Sequence, residues 1–391
     1  MKLKKVLAIV ICAAMLVTGV IGCNSDTQET PPEEDIINGE EENQSQSQTQ
    51  SEPGIDYEAA FATFAPDTVM INVGDSTVTW EYLFFYLRGN INEVISYFGG
   101  LPGWDEELSQ GLTFADYIKI STVSNLLEGK VIEYGATLLG VTLSEEDIQE
   151  IQDYFYEVAE RFGGEEEFLR IIWEEDGCHS RELFDRIVGV SRLIDAIFSE
   201  LYGANGDMIT YDELAEHTAL DGYIMTKHIL RLHPEDDDES DSDRDSASAR
   251  EEIEAILKEL NEFDGEDFEE FFDDLMYRHS EDTGLVTNPM GYLFQVGDMV
   301  QEYYDAAVEL EIGQLSEIIE TDFGYHIIYR IPINFDVIPA SGYMNSDYRT
   351  LREMVMMDLF SVTFEAWRNS LEIEYTDDFE SMDLSEIFVV Q

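Results

Sequence analysis

Apolar and polar positions follow two rhythms along this chain. In GDMVQEYYDAAVELEIGQLSEIIETDFGYHIIYRI, residues 297–331, Met299, Tyr303, Ala306, Ala307 and Leu310 recur at three- and four-residue spacing, which predicts a helix ended by Gly313. A strand at 316–320, a turn at 322–324 and an apolar strand at 325–331 carrying His326 are expected after it. Upstream, YIMTKHILRL at 223–232 reads as a strand with a second histidine, His228. From Val69, VMINVGDSTVTWEYLFFYL predicts a strand, a turn at Gly74-Asp75, and a helix capped near Thr79 with Trp80, Leu83, Phe84 and Leu87 on one face. Helices are expected at about 112–138, 144–162, 165–175 and 180–202, separated by Gly140, Gly163-Gly164 and Gly177. Ser144 opens the second of these, and Ile148, Ile151, Phe155 and Val158 form its buried stripe. Further helices are expected at 249–261 and 267–278, and one at about 346–371 with Leu351, Met354, Val355, Leu359 and Val362 on its apolar face. Residues 372–391 read as an acidic tail with an apolar anchor at 387–389.

The first residues break this pattern. Lys2, Lys4 and Lys5 precede an apolar run from Val6 to Val20, which reads as a secretory signal, short at its core for a membrane span. Val20-Ile21-Gly22-Cys23 is similar to a lipobox, so Cys23 is the expected lipidation site, with acyl chains holding the protein at the membrane. Cleavage there removes three lysines and no acid, taking the formal charge from −64 to −67. Residues 24–66, rich in Glu, Gln, Ser, Thr and Pro, are expected to be a disordered tether.

Composition narrows the function classes. A formal charge of −64 argues against nucleic acid as a partner, because phosphate needs basic patches. With 44% hydrophobic residues, the chain is long enough for two or three cores. Three cysteines, Cys12, Cys23 and Cys178, build no disulfide framework. There is no HExxH, CxxC, GxSxG or glycine-rich phosphate loop. Adjacent Cys178 and His179 do not converge in a helix or strand, so a free thiol is the expectation. Asp241, Asp243, Asp245 and Glu252 fit part of a calcium-loop count, but Ser246 stands at the glycine position and a solvated acidic loop is preferred. No metal or other cofactor is expected.

His-Ile-Leu at 228–230, Ser-Glu-Asp at 280–282, Gly-Tyr-Leu-Phe at 291–294, the Met299 helix and Phe-Gly-Tyr-His-Ile-Ile at 323–328, in that order, resemble a parvulin-type peptidyl-prolyl isomerase over roughly residues 221–335. With the flanking segments, the whole chain resembles the PrsA and SurA foldases. The resemblance implies an α+β architecture: a small antiparallel sheet surrounded by helices, inserted between N- and C-terminal helical segments that form a chaperone domain. The expected division is 1–22 signal, 23–66 tether, 67–220 helical chaperone domain, 221–335 isomerase domain, and 336–391 a helix and tail returning to the helical domain.

Rotation about an X-Pro bond faces about 18–20 kcal/mol from amide resonance and needs no nucleophile. It needs an apolar cup for the ring and stabilisation of a twisted amide. By resemblance, the cup is Met299, Tyr303, Phe323 and Phe294. His228 and His326 are the paired histidines of adjacent strands, expected to share a hydrogen bond, with Thr321 as a polar partner. Asp282 falls near the substrate carbonyl, where a desolvated carboxylate would repel the oxygen from planarity. The family's Gly-Gly-Asp-Leu-Gly-x-Phe becomes Asn288-Pro289-Met290-Gly291-Tyr292-Leu293-Phe294, and its usual pocket phenylalanine becomes Tyr303, whose hydroxyl needs a partner.

The expected partners are unfolded or newly secreted polypeptides with unphosphorylated X-Pro bonds, since the acidic run at 235–246 repels phosphate. The expected place is the outer face of the cell membrane of a Gram-positive type of cell, with a homodimer as a family tendency. Two other readings remain open: a holdase using the same fold with a degenerate isomerase site, and an acidic surface protein suggested by charge alone.

Overall fold

The computed structural model describes residues 54–109, 111–219, 221–233, 246–345 and 348–389. The signal, Cys23, most of the tether and Asp241, Asp243 and Asp245 of the acidic run lie outside them. The chain divides into two compact units, Met1–Leu201 with Phe360–Gln391, and Tyr202–Leu359. The architecture is mixed, with small antiparallel sheets set among helices.

In the first unit, strands β1 (Val69–Val73) and β2 (Ser76–Thr79) form a hairpin through Gly74, whose φ of +53° is the left-handed conformation the turn requires. Helix Trp80–Phe98 starts at Thr79 as expected, although the Thr79 side chain makes no capping bond. Trp80 is fully buried and its Nε1 donates to the Phe61 carbonyl at 2.7 Å. Ser144 opens helix Glu145–Arg161 with a reciprocal capping box, Ser144 with Asp147. On that helix Ile151, Phe155 and Val158 are buried, but Ile148 is exposed. Helix Phe114–Leu139 is preceded by a hairpin, β3 (Glu107–Ser109) and β4 (Leu112–Thr113), where a helix start at 112 was expected.

The C-terminal segment carries a strand in addition to the expected apolar anchor, of which Ile387 and Phe388 are buried and Val389 is exposed. Helix Leu351–Ser370 buries Leu351 and Val355 of the expected face and, in its second half, Phe360, Phe364 and Trp367, while Val362 is exposed. Trp367 lies against Gly135, where a Cβ would stand 2.3 Å from the ring, so only glycine admits the indole. Strand β9 of this unit (Ile373–Tyr375) pairs antiparallel with β1, and Phe388 is fully buried, its ring 5.7 Å from that of Phe84.

The second unit is built on one four-stranded antiparallel sheet. Its strands are β5 (Ile224–Leu232), β6 (Tyr292–Phe294), β7 (Ile319–Thr321) and β8 (Gly324–Ile331), in the order β6-β5-β8-β7. The register sets His228 opposite Ile328 and Leu230 opposite His326. Because side chains alternate faces, Thr226, His228, His326 and Ile328 share one face with Tyr292 and Phe294. Helix Gln301–Glu309 covers that face, burying Tyr303 and Ala307 against Ile224, Phe294 and Ile328. The other face carries Lys227, Arg231 and Tyr329. It meets helices Ser246–Asn261 and Phe268–His279, where Lys227 pairs with Glu269 and Asp273, and Arg231 with Glu252. The helix after Met299 begins two residues later than expected, because Val300 is extended (φ −58°, ψ 145°). Strand β7 covers 319–321 instead of 316–320, and helix Tyr211–Thr218 had no counterpart in the sequence reading.

Candidate active site

The sequence Ser280-Glu281-Asp282 does along β5 what β6 does further up: it covers the strand edge. Glu281 N–H donates to the Leu230 carbonyl at 2.9 Å, and Leu230 N–H to Ser280 Oγ at 3.2 Å. This carries Asp282 beside His228. Asp282 then starts a 3₁₀ turn, Thr283–Val286, by accepting the Gly284 N–H on Oδ1 at 2.9 Å. Its other oxygen, Oδ2, accepts from His228 Nε2 at 2.9 Å and from the Tyr292 hydroxyl at 2.5 Å. Burial would push this carboxyl up, but the His228 and Tyr292 hydrogen bonds outweigh it and bring the pKa to about 2. The carboxylate is therefore ionised at neutral pH and has three donors on it. The carboxylate is largely buried, as the expected desolvation requires, but it is also paired with His228 and Tyr292.

Ionised Asp282 can only accept, so His228 carries a proton on Nε2 and donates it to Oδ2. His326 is held by a different anchor. Thr321 Oγ1 accepts the Phe323 N–H at 3.2 Å and shares a 2.9 Å hydrogen bond with His326 Nε2. Burial, reinforced by neighbouring His228, lowers His326 to about 3, which keeps the ring neutral. The two rings lie 5.2 Å apart at 52°, and both Nδ1 atoms are buried with no hydrogen-bond partner among the described residues. The expected hydrogen bond between the histidines is thus not made. Each ring is drawn instead to its own anchor, Asp282 or Thr321.

Tyr303 lies beneath both rings, edge-on to His228 at 5.3 Å and to His326 at 5.5 Å. Its hydroxyl shares a 2.8 Å hydrogen bond with Thr226 Oγ1, which meets the need for a partner. Tyr303 is 2% exposed and Phe294 fully buried, so these two form the floor of the cluster, not an open wall. Met299 packs on the same apolar group from the segment before the helix, half-buried. It therefore does not stand one helical turn from Tyr303 as expected. Phe323 is 58% exposed on the turn between β7 and β8, where His233 holds both flanking carbonyls, its N–H on that of Phe323 at 3.0 Å and its Nε2 against that of Thr321 at 3.1 Å. Phe323 is the large apolar surface that this turn presents to solvent.

The structure thus brings His228, Asp282, Thr321, His326, Tyr303 and Phe294 into one cluster, with Met299 at its side and Phe323 on the turn beyond Thr321. Sequence reasoning missed Tyr292 and Thr226, although Tyr292 stands two residues before Phe294 in the motif and so on the same strand face. Gly291 explains part of the altered loop: at φ +100° a Cβ would lie 2.6 Å from the Thr226 carbonyl. Elsewhere, Cys178 is buried and burial pushes its thiol up, which removes it as a nucleophile. A groove of about 290 Å³ in the first unit, lined by Glu58, Phe61, Leu169, Arg170, Trp173 and His179, holds none of the site residues. Among the described residues no group of three or more His, Cys, Asp or Glu could hold a metal ion, and no helix is long and apolar enough to cross a membrane.

Residues 228–331 match the rotamase family, described as a PPIC-type PPIase domain. The chain is 22% identical over 321 residues to the foldase protein PrsA of Clostridium perfringens, covering 80% of this chain and 87% of that one. It is 30% identical over 217 residues to the foldase protein PrsA of Oceanobacillus iheyensis, covering 53% of this chain and 58% of the relative. Among solved structures, the peptidylprolyl isomerase (PrsA) from Bacillus cereus aligns over 73% of this chain and 99% of its own, at 19% identity and a TM-score of 0.29.

Proposed function

We propose that this chain, a PrsA-type parvulin foldase and peptidyl-prolyl isomerase, works outside the cytoplasm, held at the membrane by lipidated Cys23, on unfolded polypeptides with unphosphorylated X-Pro bonds. The observation that carries the isomerase site is the pair of histidines over Tyr303, each held at Nε2 by its own anchor and each with its Nδ1 unmatched among the described residues. Prolyl rotation needs no covalent chemistry. It is served by a polar floor under the twisting amide, where charge shifts between carbonyl oxygen and nitrogen. In this reading Phe323 and Met299 take the proline ring, and Asp282 and Thr321 hold the two imidazoles. Phe294 and Tyr303 support the floor from below.

A second reading, a holdase with weak or no catalysis, is favoured by one observation: two of the four expected cup residues, Tyr303 and Phe294, are buried and offer the ring no surface. The deciding experiment expresses the full chain and a Cys23→Ser variant, fractionates membranes, and assays each fraction by protease-coupled isomerisation of X-Pro tetrapeptides. The expected result is membrane-bound activity above the thermal rate. It drops at least tenfold in His326→Ala and moves to the soluble fraction in Cys23→Ser. A folded protein that never exceeds the thermal rate leaves the holdase reading, and Cys23→Ser protein that stays with the membrane removes the lipid anchor.

A further inference from the structure

We propose that Tyr292 is a positioning residue of the isomerase site, its hydroxyl locking the Asp282 carboxylate that in turn fixes the tautomer and orientation of His228. The proposal rests on the isomerase reading for its consequence in catalysis, but not for its geometry. Tyr292 opens β6 and shares a sheet face with Thr226 and Phe294, and it reaches Asp282 Oδ2 at 2.5 Å. The same oxygen accepts from His228 at 2.9 Å, and the Tyr292 ring lies 5.3 Å from the imidazole. One carboxylate oxygen thus joins a phenol and an imidazole, while the Gly284 N–H holds the other.

The broad χ2 torsion of an aspartate is restrained here by the Gly284 N–H on Oδ1 and His228 on Oδ2. The Tyr292 hydroxyl adds a second donor to Oδ2 from a different strand and fixes that oxygen against the imidazole. The titratable groups packed around Asp282 are His228 from β5, Tyr292 from β6, His326 from β8 and Tyr303 from helix Gln301–Glu309. Among the described residues no lysine or arginine pairs with this carboxylate. Beyond His228, the ionised, locked state of Asp282 rests on two neutral donors, the Gly284 N–H on Oδ1 and the Tyr292 phenol on Oδ2. Gly284 makes the arrangement possible: a Cβ there would lie 2.3 Å from the Tyr292 hydroxyl and 3.2 Å from Asp282 Oδ1.

The test uses the full chain labelled with ¹³C at aspartate Cγ, the Asp282 signal being identified by its loss in Asp282→Asn, in parallel with isomerase assays across pH. In wild type, Asp282 stays ionised down to pH 3, in keeping with its low value of about 2. In Tyr292→Phe its midpoint is expected to rise by at least about one pH unit toward the ordinary aspartate value. The acid limb of kcat/KM moves with it, and kcat at neutral pH falls roughly tenfold with KM within about twofold. Gly284→Ala, which displaces the hydroxyl without removing it, is expected to reproduce the same shift. An Asp282 titration unchanged in both variants overturns the proposal. A titration that shifts in a chain with no isomerase activity keeps Tyr292 as the lock and refutes the isomerase reading. Activity with an acid limb unmoved in both variants does the reverse.

Discussion

Two buried polar clusters, one in each unit, make opposite use of burial. In the first unit Glu133 receives Arg186 through two parallel bonds, both at 2.9 Å, and Lys130 at 3.0 Å, with Lys130 only 2% exposed. Every charge there faces an opposite charge, and despite burial the Arg186 and Lys130 contacts hold the Glu133 carboxyl below its ordinary value. In the second unit burial keeps His326 neutral, and each of the two histidines over Tyr303 has a buried nitrogen with no hydrogen-bond partner among the described residues. An unmet buried polar atom costs about 1–3 kcal/mol, and the two imidazoles leave two such nitrogens among the described residues. The contrast is between a cluster closed by opposite charges and one whose two rings each keep a nitrogen open.

The contrast breaks first on the charged side. Glu133→Ala leaves Lys130 and Arg186 buried without a counter-charge, and such a loss costs about 3–5 kcal/mol for a fully buried pair. Arg186 is a third exposed, so the lower end, about 3 kcal/mol, is expected. Amide hydrogen exchange in helix Phe114–Leu139 would read the loss directly, with the isomerase activity of the folded protein within twofold of wild type. Exchange slowed or unchanged would mean that the cluster contributes nothing net.

On the neutral side the prediction is a pH dependence. His326 has its value lowered by burial from 6.5 to about 3, so between those limits the unfolded chain binds a proton that the folded chain refuses. Stability present above pH 6.5 is therefore lost as pH falls toward 3, with a slope of at most about 1.4 kcal/mol per pH unit from this one group. Asp282, held at about 2, adds a loss in the same direction only below its ordinary 3.8. Hydrogen exchange of the β5 and β8 amides between pH 7 and 5 should show this slope, and His326→Gln should flatten it. The same slope in the variant would assign the acid sensitivity to some other group.

Much of this was legible in the sequence, for physical reasons that also mark where legibility ends. The strand at 325–331 and the box at Ser144 were readable because their signals are local: a run of apolar residues, and a hydroxyl three residues from a carboxylate. Met299 misled because it packs on the same cluster as Tyr303 from a loop, and side-chain spacing cannot distinguish the last loop residue from the first helical one. Strand β9 carried no pattern at all. Its three residues are all exposed, and it is a strand only because β1, some three hundred residues earlier, offers an open edge. The lock on Asp282 depends on three distant segments meeting, β5, β6 and the loop at 280–284. No spacing rule brings Tyr292 to that carboxylate, although its place two residues before Phe294 gave the correct face.

The smallest effect on stability tests the other half of the site. Phe323 is 58% exposed, so Phe323→Ala removes little buried surface and should change unfolding free energy by no more than about 0.5 kcal/mol. If it is the wall on which a proline ring closes, the same substitution removes apolar contact made only with substrate. Covering a part of one aromatic face is worth about 1–1.5 kcal/mol, so kcat/KM should fall roughly five- to tenfold, mostly through KM. His233 clamps the carbonyls on either side, so the backbone of the turn stays in place when the ring is cut away. That makes the loss attributable to the ring itself. A chain that keeps its KM without Phe323 would place the guest elsewhere and leave the two open imidazole nitrogens unexplained.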